Sequence, residues 1–385
     1  MKICHICSGA GPVAKQSLDN IARSIIRNLV RAFRQEGHEV HIIDLAAPQY
    51  FHENTFIFHS LGRYPTSINL GQHPLYRLRQ LFFACRLIRR ILDIVRINEI
   101  QLLHTHSEII GAALLLCRKR LRIPLVYTLH NPAWENLGFP LKDRVLGYPL
   151  EALIFKRYDA VIALNERIRD NILMKTRRQG PLWVIPNGID TDLFQPFEKS
   201  AVTQEVNVLC VGQILRRKNQ ALLLEAVSHI QDKISQVLIL GQVGEASYFR
   251  KVQESICSWG LKGKVTFLPY VDNEAMPSIY GKTTLFVHPS KSEASSLAVL
   301  EAMSCGCCVI ASDIPSHRAL IHSGENGLLF DPADAQDLRQ KMEFALSNHD
   351  SRRRLERNAR NHILRERSWK AIAGRYLSLY EALLD

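Results

Sequence analysis

No stretch of this chain is apolar for long enough to cross a bilayer. The longest uncharged apolar run, Ile109 to Cys117, falls well short of the roughly 20 residues that a spanning helix needs. A secretory leader is not expected either, because Lys2 is followed by only a few apolar residues before Gly9. The nine cysteines are odd in number and have no framework spacing. Several, such as Cys210 in VNVLCVG and Cys308 in CCVIAS, sit inside apolar runs, which excludes a disulfide scaffold and points to reduced thiols in a cytoplasmic protein. Metal-ligand spacing is equally sparse. Cys4-His-Ile-Cys7 lies in a first strand rather than before a redox helix, and Cys305-Gly-Cys-Cys308 has no matching ligand pair.

Acidic charge is also in short supply. The chain holds 37 Asp and Glu against 49 Lys and Arg, a formal net charge of +12. The imbalance is local: residues 1–196 carry 26 basic and 16 acidic side chains, so the first half holds nearly all of the excess. Such a bias points to an anionic partner, either a membrane surface or a charged acceptor. Nucleic acid is not expected, because no recognition motif accompanies the charge.

What is present is a globular composition, 46% hydrophobic and 22% charged, over 385 residues, enough for two domains with real cores. Met1 to Ser8 is an apolar run that ends in Gly9-Ala10-Gly11-Pro12. A helical pattern over Gln16 to Glu36 follows, Gly37 stops it, and Glu39 to Leu45 reads as a second strand. This is a βαβ unit with parallel strands. Gly9-x-Gly11-x-x-Ala14 fits the dinucleotide fingerprint, but the candidate acid Asp44 lies well past the position about 20 residues on where that motif places it. A glycine-rich turn open to any phosphate accounts for it equally well.

Residues 47–74 show no periodicity and read as loop. Tyr76 to Arg96 is a basic amphipathic helix with Leu78, Leu81, Phe82, Cys85, Ile88, Leu92 and Val95 on its apolar face. It serves as a packed core helix or as a membrane-surface contact. Ile100 to His106 and Leu125 to His130 are strands. His104 and His106 share one side of the first, where hydrogen bonding is preferred over metal binding, and His130 ends the second. Ligands of open parallel sheets sit at that carboxyl edge, so His130 is a candidate for contacting substrate. Ala160 to Leu164 and Leu182 to Pro186 complete the first half. Asp190-Thr191-Asp192 follows a turn between domains and reads as structural rather than as a metal motif. A linker over Phe194 to Glu205 leads to Val206 to Gly212, where the strand and helix alternation restarts.

The richest segment is His288 to Gly306, HPSKSEASSLAVLEAMSCG. An apolar strand runs into a polar turn and then into a helix with Leu297, Leu300 and Met303 on one face, and Ser295 or Ser296 stands where an N-cap belongs. A helix start offers unpaired N–H groups and the positive end of a dipole, which suits a phosphate. Glu293 and Glu301 bracket that start, as two acceptors would if a hydroxyl-rich ring lay on each side of a diphosphate. A nucleotide sugar has that form. A solvated turn followed by a capped amphipathic helix is the plainer alternative.

The set of motifs resembles the retaining glycosyltransferases of family 4 (glycosyl transferases group 1), which have the GT-B fold. It rests on Glu293-x7-Glu301 followed by Ala-Met, Pro186-Asn-Gly-Ile-Asp190, Val211-Gly212 with Lys218 beyond, Pro289-Ser290, and Glu325-Asn-Gly327-Leu-Leu. The resemblance implies an α/β architecture of two facing Rossmann-like domains with a cleft between them. It places an acceptor-side domain at 1–195, a donor-binding domain at 196–366 and a terminal helix at 367–385 packing back on the first. It implies a metal-independent enzyme without cofactor that moves a hexose from a nucleotide-diphosphate sugar to a glycan or lipid-linked acceptor in cell-envelope or polysaccharide synthesis. By the same likeness Glu301 binds ribose, Glu293 the sugar ring, and the backbone around Ser296, Leu297 and Ala298 the diphosphate. Lys218 neutralises the leaving group, Arg216 or Arg217 substitutes for the family's Arg that Gln213 replaces beside Gly212, Tyr270 and Val271 lie near the base, His130 sits by the sugar, and Gly11 closes over the phosphates or acceptor. The chain departs from the family at Gln213, where Arg is usual, at Ala294, where Gly is frequent, and near Ala319, where a Glu is absent. The competing readings are a silent scaffold of the same fold and a nicotinamide-dependent oxidoreductase built on the Gly9 turn.

Overall fold

The structure is a computed structural model that describes residues 1–7, 19–44, 57–61, 76–130, 141–197, 206–293 and 295–385. The Gly9 to Ala14 turn, with Gly11, lies outside the described residues. Contacts divide the chain into two units, Met1–Pro186 with Ile372–Asp385, and Asn187–Ala371. The division falls earlier than the 195/196 boundary read from the sequence. The reason is packing: Ile189 and Phe194 are buried in a core of the second unit and belong with it. The part of the terminal helix from Ile372 onward groups with the first unit.

The first unit is a seven-stranded parallel sheet in the order β3-β2-β1-β4-β5-β6-β7. Its strands are β1 (Lys2–Cys7), β2 (Glu39–Asp44), β3 (Ile57–Ser60), β4 (Leu102–Thr105), β5 (Leu125–Leu129), β6 (Ala160–Ala163) and β7 (Leu182–Val184). The central strands read as unbroken apolar runs because helices cover both faces, which leaves no solvent face to mark with polar residues. The sequence did not reveal β3, a four-residue edge strand paired only with β2. Its tetrapeptide is too short for a period of two to register.

Helix Tyr76–Ile97 packs through a different stripe from the one expected. Ala84, Leu87, Ile91 and Val95 are the buried positions, and Phe82 is 66% exposed beside exposed Arg86, Arg89 and Arg90.

The second unit is a six-stranded parallel sheet in the order β10-β9-β8-β11-β12-β13. It consists of β8 (Asn207–Val211), β9 (Gln236–Leu240), β10 (Val265–Leu268), β11 (Leu285–His288), β12 (Cys308–Ser312) and β13 (Leu328–Phe330). Successive side chains alternate between two cores. Val208, Cys210, Leu285, Val287, Cys308 and Ile310 enter one with helices Gln220–Ser228, Ala246–Ser258 and Ala335–Ser347. Leu209, Phe286, Val309 and Ala311 enter the other with helix Leu297–Ser304. In both units the strand order reverses beside the first strand of the unit, between β1 and β4 and between β8 and β11. That is the place where loops diverge at the carboxyl edge and leave room for a ligand.

Candidate functional site

At the reversal point of the second sheet two loops are stitched together. One follows β8 and carries a short 3-10 turn, Arg216–Lys218, and the other follows β11. The Lys291 amide donates to the Arg217 carbonyl at 2.8 Å, and the Arg217 guanidinium donates to the Ser292 carbonyl at 2.5 Å. The strand ends approach so closely that only glycine fits. A Cβ on Gly241, whose φ is +154°, would lie 2.1 Å from the Gly212 carbonyl oxygen. One on Gly212 would press on the Lys218 chain, whose Cε would be 3.2 Å away.

Glu293 is the electrostatic centre of this edge. Its Oε1 receives Lys218 Nζ at 2.6 Å and faces His288 Nε2 at 3.4 Å, and its Oε2 lies 3.1 Å from Arg217 Nη1. The Glu293 side chain is 8% exposed and that of Lys218 16%, whereas Arg217 reaches solvent. Burial pushes the Glu293 carboxyl upward, yet the hydrogen bond from His288 and the charges of Lys218 and Arg217 outweigh it and hold the group well below the usual carboxylate range. Glu293 was expected to face a sugar ring; in the structure its two oxygens meet Lys218 and Arg217. The Lys218 partner, seventy-five residues away in the chain, and His288 were not foreseen.

Just past Glu293 begins helix Leu297–Ser304, with Ser296 at the N-cap position. Ser296 does not cap the helix with its side chain, contrary to the usual behaviour of serine there. Its Oγ lies 2.8 Å from His317 Nε2. Among the described residues no acceptor takes the amides of Leu297 and Ala298. Asn187, from the Pro186 to Asp190 motif, donates to Ser295 Oγ at 3.2 Å.

Glu301, on the same helix, accepts from the buried Tyr280 hydroxyl at 2.7 Å, and its other oxygen has no partner among the described residues. Burial raises the Glu301 carboxyl despite that hydrogen bond, so it is the more easily protonated of the two acids. Tyr270 and Val271 follow β10; Tyr270 is 39% exposed and donates to Asp272 at 3.2 Å. Gln213 is exposed, and its carbonyl accepts from Gln220. Asp190 accepts from the amides of Asp192 and Leu193, a turn-closing role.

The reversal point of the first sheet has a different chemistry. His130 Nε2 lies 3.0 Å from His106 Nδ1, and His106 Nε2 lies 3.1 Å from His5 Nδ1, a chain of three imidazoles. His104 pairs with His5 across β1 and β4, with its nitrogens 2.6 Å from the Tyr380 hydroxyl and 2.8 Å from that of Thr128. Burial pushes His130 down to about 4 and His5 to about 3, so both are neutral at ordinary pH. The sequence placed His104 and His106 together but missed His5, which contributes a third nitrogen within 4.8 Å of the other two. The signal for it was parallel pairing of the first and fourth strands, which no local pattern announces. The rings of His104 and His106 stack at 4.3 Å.

Comparison with known proteins agrees across both units. Residues 22–193 match the family profile described as Glycosyltransferase Family 4, and residues 193–362 match that of Glycosyl transferases group 1. The D-inositol 3-phosphate glycosyltransferase of Xylanimonas cellulosilytica is 25% identical over 298 residues, 72% of this chain and 70% of that protein. Among solved structures, sucrose-phosphate synthase from Thermosynechococcus elongatus matches with a TM-score of 0.79 at 23% identity, covering 99% of this chain and 98% of that one. Anabaena Alr3699/HepE in complex with UDP and glucose matches with a TM-score of 0.74 at 19% identity over the whole of both chains. The last two likenesses concern the fold.

Proposed function

The chain belongs to the family 4, group 1 glycosyltransferases of GT-B fold, and from that premise we propose that it transfers a hexose from a nucleoside-diphosphate sugar to a hydroxyl acceptor, with retention of configuration and without a metal ion. The observation that carries this reading is the Lys218–Glu293 pair at 2.6 Å, set at the strand reversal immediately before a helix whose first amides are open. In the reaction the bond from the anomeric carbon to the diphosphate oxygen breaks, and its electron pair leaves with the diphosphate. The acceptor oxygen bonds to the same face of that carbon, and its proton passes to the departing diphosphate. Charge therefore develops on the leaving group, where a fixed cation and a helix start lower the barrier most. Lys218 and Arg217 supply the cations, the Leu297 and Ala298 amides bind the diphosphate, and Glu301 takes the ribose hydroxyls. Glu293 aims Lys218 and meets the sugar, Tyr270 and Val271 flank the base in the turn region of Gly212 and Gln213, and His130 contacts the transferred sugar.

The acceptor in this reading is a glycan or lipid-linked hydroxyl of cell-envelope or polysaccharide synthesis, reached at a membrane surface. The exposed Phe82 beside Arg86, Arg89 and Arg90 supports that contact. No helix among the described residues is long and apolar enough to cross a membrane. A panel of uridine, guanosine and adenosine diphosphate sugars, read by thermal stabilisation and by nucleotide release in EDTA, tests the proposal. At least one donor should stabilise the protein and be turned over with acceptor, and NMR should show the anomeric configuration kept. Release only after divalent metal is added, or an inverted product, would refute it. Equal sedimentation with neutral and anionic vesicles would remove the membrane contact.

A further inference from the structure

The residue that meets the Ser296 hydroxyl is His317, and no motif of the sequence pointed to it. His317 is fully buried, at the end of the short helix Pro315–Arg318 after β12. Its Nδ1 lies 2.8 Å from the Ser312 carbonyl oxygen, which can only accept, so Nδ1 carries the proton. Its Nε2 is then a bare lone pair, and the Ser296 hydroxyl 2.8 Å away must donate to it. Burial holds the imidazole down at about 3, which fixes this neutral tautomer over the whole working range. Ser312 is itself tied to the second loop through the Ser290 carbonyl, so the anchor of His317 is part of the same edge.

A serine at an N-cap position ordinarily turns its oxygen back to accept from the amides of the first turn. Here the hydroxyl is drawn away from them. We propose that His317 is a positioning residue for donor binding: by holding the Ser296 hydroxyl it prevents the helix from capping itself and leaves the Leu297 and Ala298 amides free for the diphosphate. This rests on the proposed function in placing the diphosphate at that helix start. It adds a residue that touches no substrate.

The test is a double-mutant cycle read by calorimetric titration with UDP, GDP and ADP. In His317→Asn the amide keeps the bond to Ser312 but falls short of Ser296, which is released to cap the helix. Affinity for the diphosphate that binds wild type should fall about fivefold, the ratio set when a ligand must displace a side-chain cap of ordinary strength. Adding Ser296→Ala to His317→Asn removes the competing oxygen and should recover most of the loss. His317→Gln, whose oxygen reaches the place of Nε2, should bind far better than His317→Asn. A purely structural histidine would lower the melting temperature without such recovery. Hydrogen exchange on the unaltered protein is a second reading: the Leu297 and Ala298 amides should exchange fast when free and be protected by the diphosphate. Unchanged affinity in His317→Asn, a double variant as weak as the single, or amides already protected in the free protein would overturn the role of His317 alone. Failure of wild type to bind any of the three diphosphates would overturn the site reading and this inference with it.

Discussion

Replacing Lys218 separates its pairing with Glu293, seen in the structure, from the leaving-group charge proposed for it. In the free protein Nζ neutralises Glu293, whose side chain is only 8% exposed. Removing one partner of a buried pair costs about 3–5 kcal/mol when the other is left bare. Glu293 would not be bare, because Arg217 stays 3.1 Å from Oε2 and His288 3.4 Å from Oε1, so the cost should fall at or below the bottom of that range. For a unit of this size each kcal/mol moves the melting temperature by about 2–4 °C, so Lys218→Met should melt roughly 5–12 °C lower. Turnover should fall further than stability explains. A lost donor to a developing oxyanion costs about a hundred- to thousandfold in kcat. Arg217 is half-exposed and held on the Ser292 carbonyl, so it is poorly placed to compensate. The assay is nucleotide release at a temperature well below the variant's own transition, with donor above KM. Folded Lys218→Met with wild-type kcat would refute the assignment of the leaving-group charge to Lys218, whatever happened to its melting temperature.

Glu301→Ala should weaken donor binding by roughly 1.5–3 kcal/mol, as for a hydrogen bond to a charged group, with kcat little changed; titration with the donor checks it. Because burial raises the Glu301 carboxyl, affinity in the unaltered enzyme should also drop as the solution is acidified toward the ordinary carboxylate range. Gly241→Ala should destabilise the second unit by at least about 1–3 kcal/mol, since the added methyl meets the Gly212 carbonyl and the residue keeps a positive φ; denaturant unfolding measures it. Acid should destabilise the first unit early. His5 and His130 titrate at about 3 and 4 in the folded state and near 6.5 when unfolded, so the unfolded chain binds more protons below 6.5. Each adds up to about 1.4 kcal/mol of lost stability per pH unit from there down to its folded value. A melting temperature that stayed flat from pH 7 to pH 5 would contradict that buried, neutral arrangement.

The alternation of strand and helix was legible because apolar runs, Gly stops and N-cap residues are local signals, and the first-half strands other than β3, with β8, were located to within a residue or two. What could not be read were features that depend on register between distant strands. The Lys218–Glu293 pair exists because β8 lies beside β11. The imidazole chain exists because His5 faces His104 across β1 and β4. Ser295 or Ser296 was expected at the N-cap; it is Ser296, but its hydroxyl goes to His317, on the short helix that follows β12. A local rule predicts the favoured partner, and a buried acceptor at hydrogen-bonding distance overrides it. The exposure of Phe82 was not legible either: it was placed on one apolar face with residues such as Val95, which is buried, and the helical period alone does not say how much of that face is covered.

The two strand reversals are the same device furnished with opposite electrostatics. In the second unit the edge carries paired ions, with Glu293 kept charged by three neighbours and the cations it orients within reach of solvent. In the first unit the edge carries imidazoles stripped of charge by burial, joined to one another and to the hydroxyls of Thr128 and Tyr380. A diphosphate needs cations that do not rearrange as its charge grows, and preformed ion pairs supply them. Neutral imidazoles can both accept and donate hydrogen bonds without adding charge to their edge. The chemistry of each unit therefore follows from how much water its edge excludes and from whether an acid lies within reach. Glu293 supplies that acid in the second unit. In the first, among the described residues, buried His41 meets a carboxylate at 2.9 Å, that of Glu39, on β2 and away from the reversal.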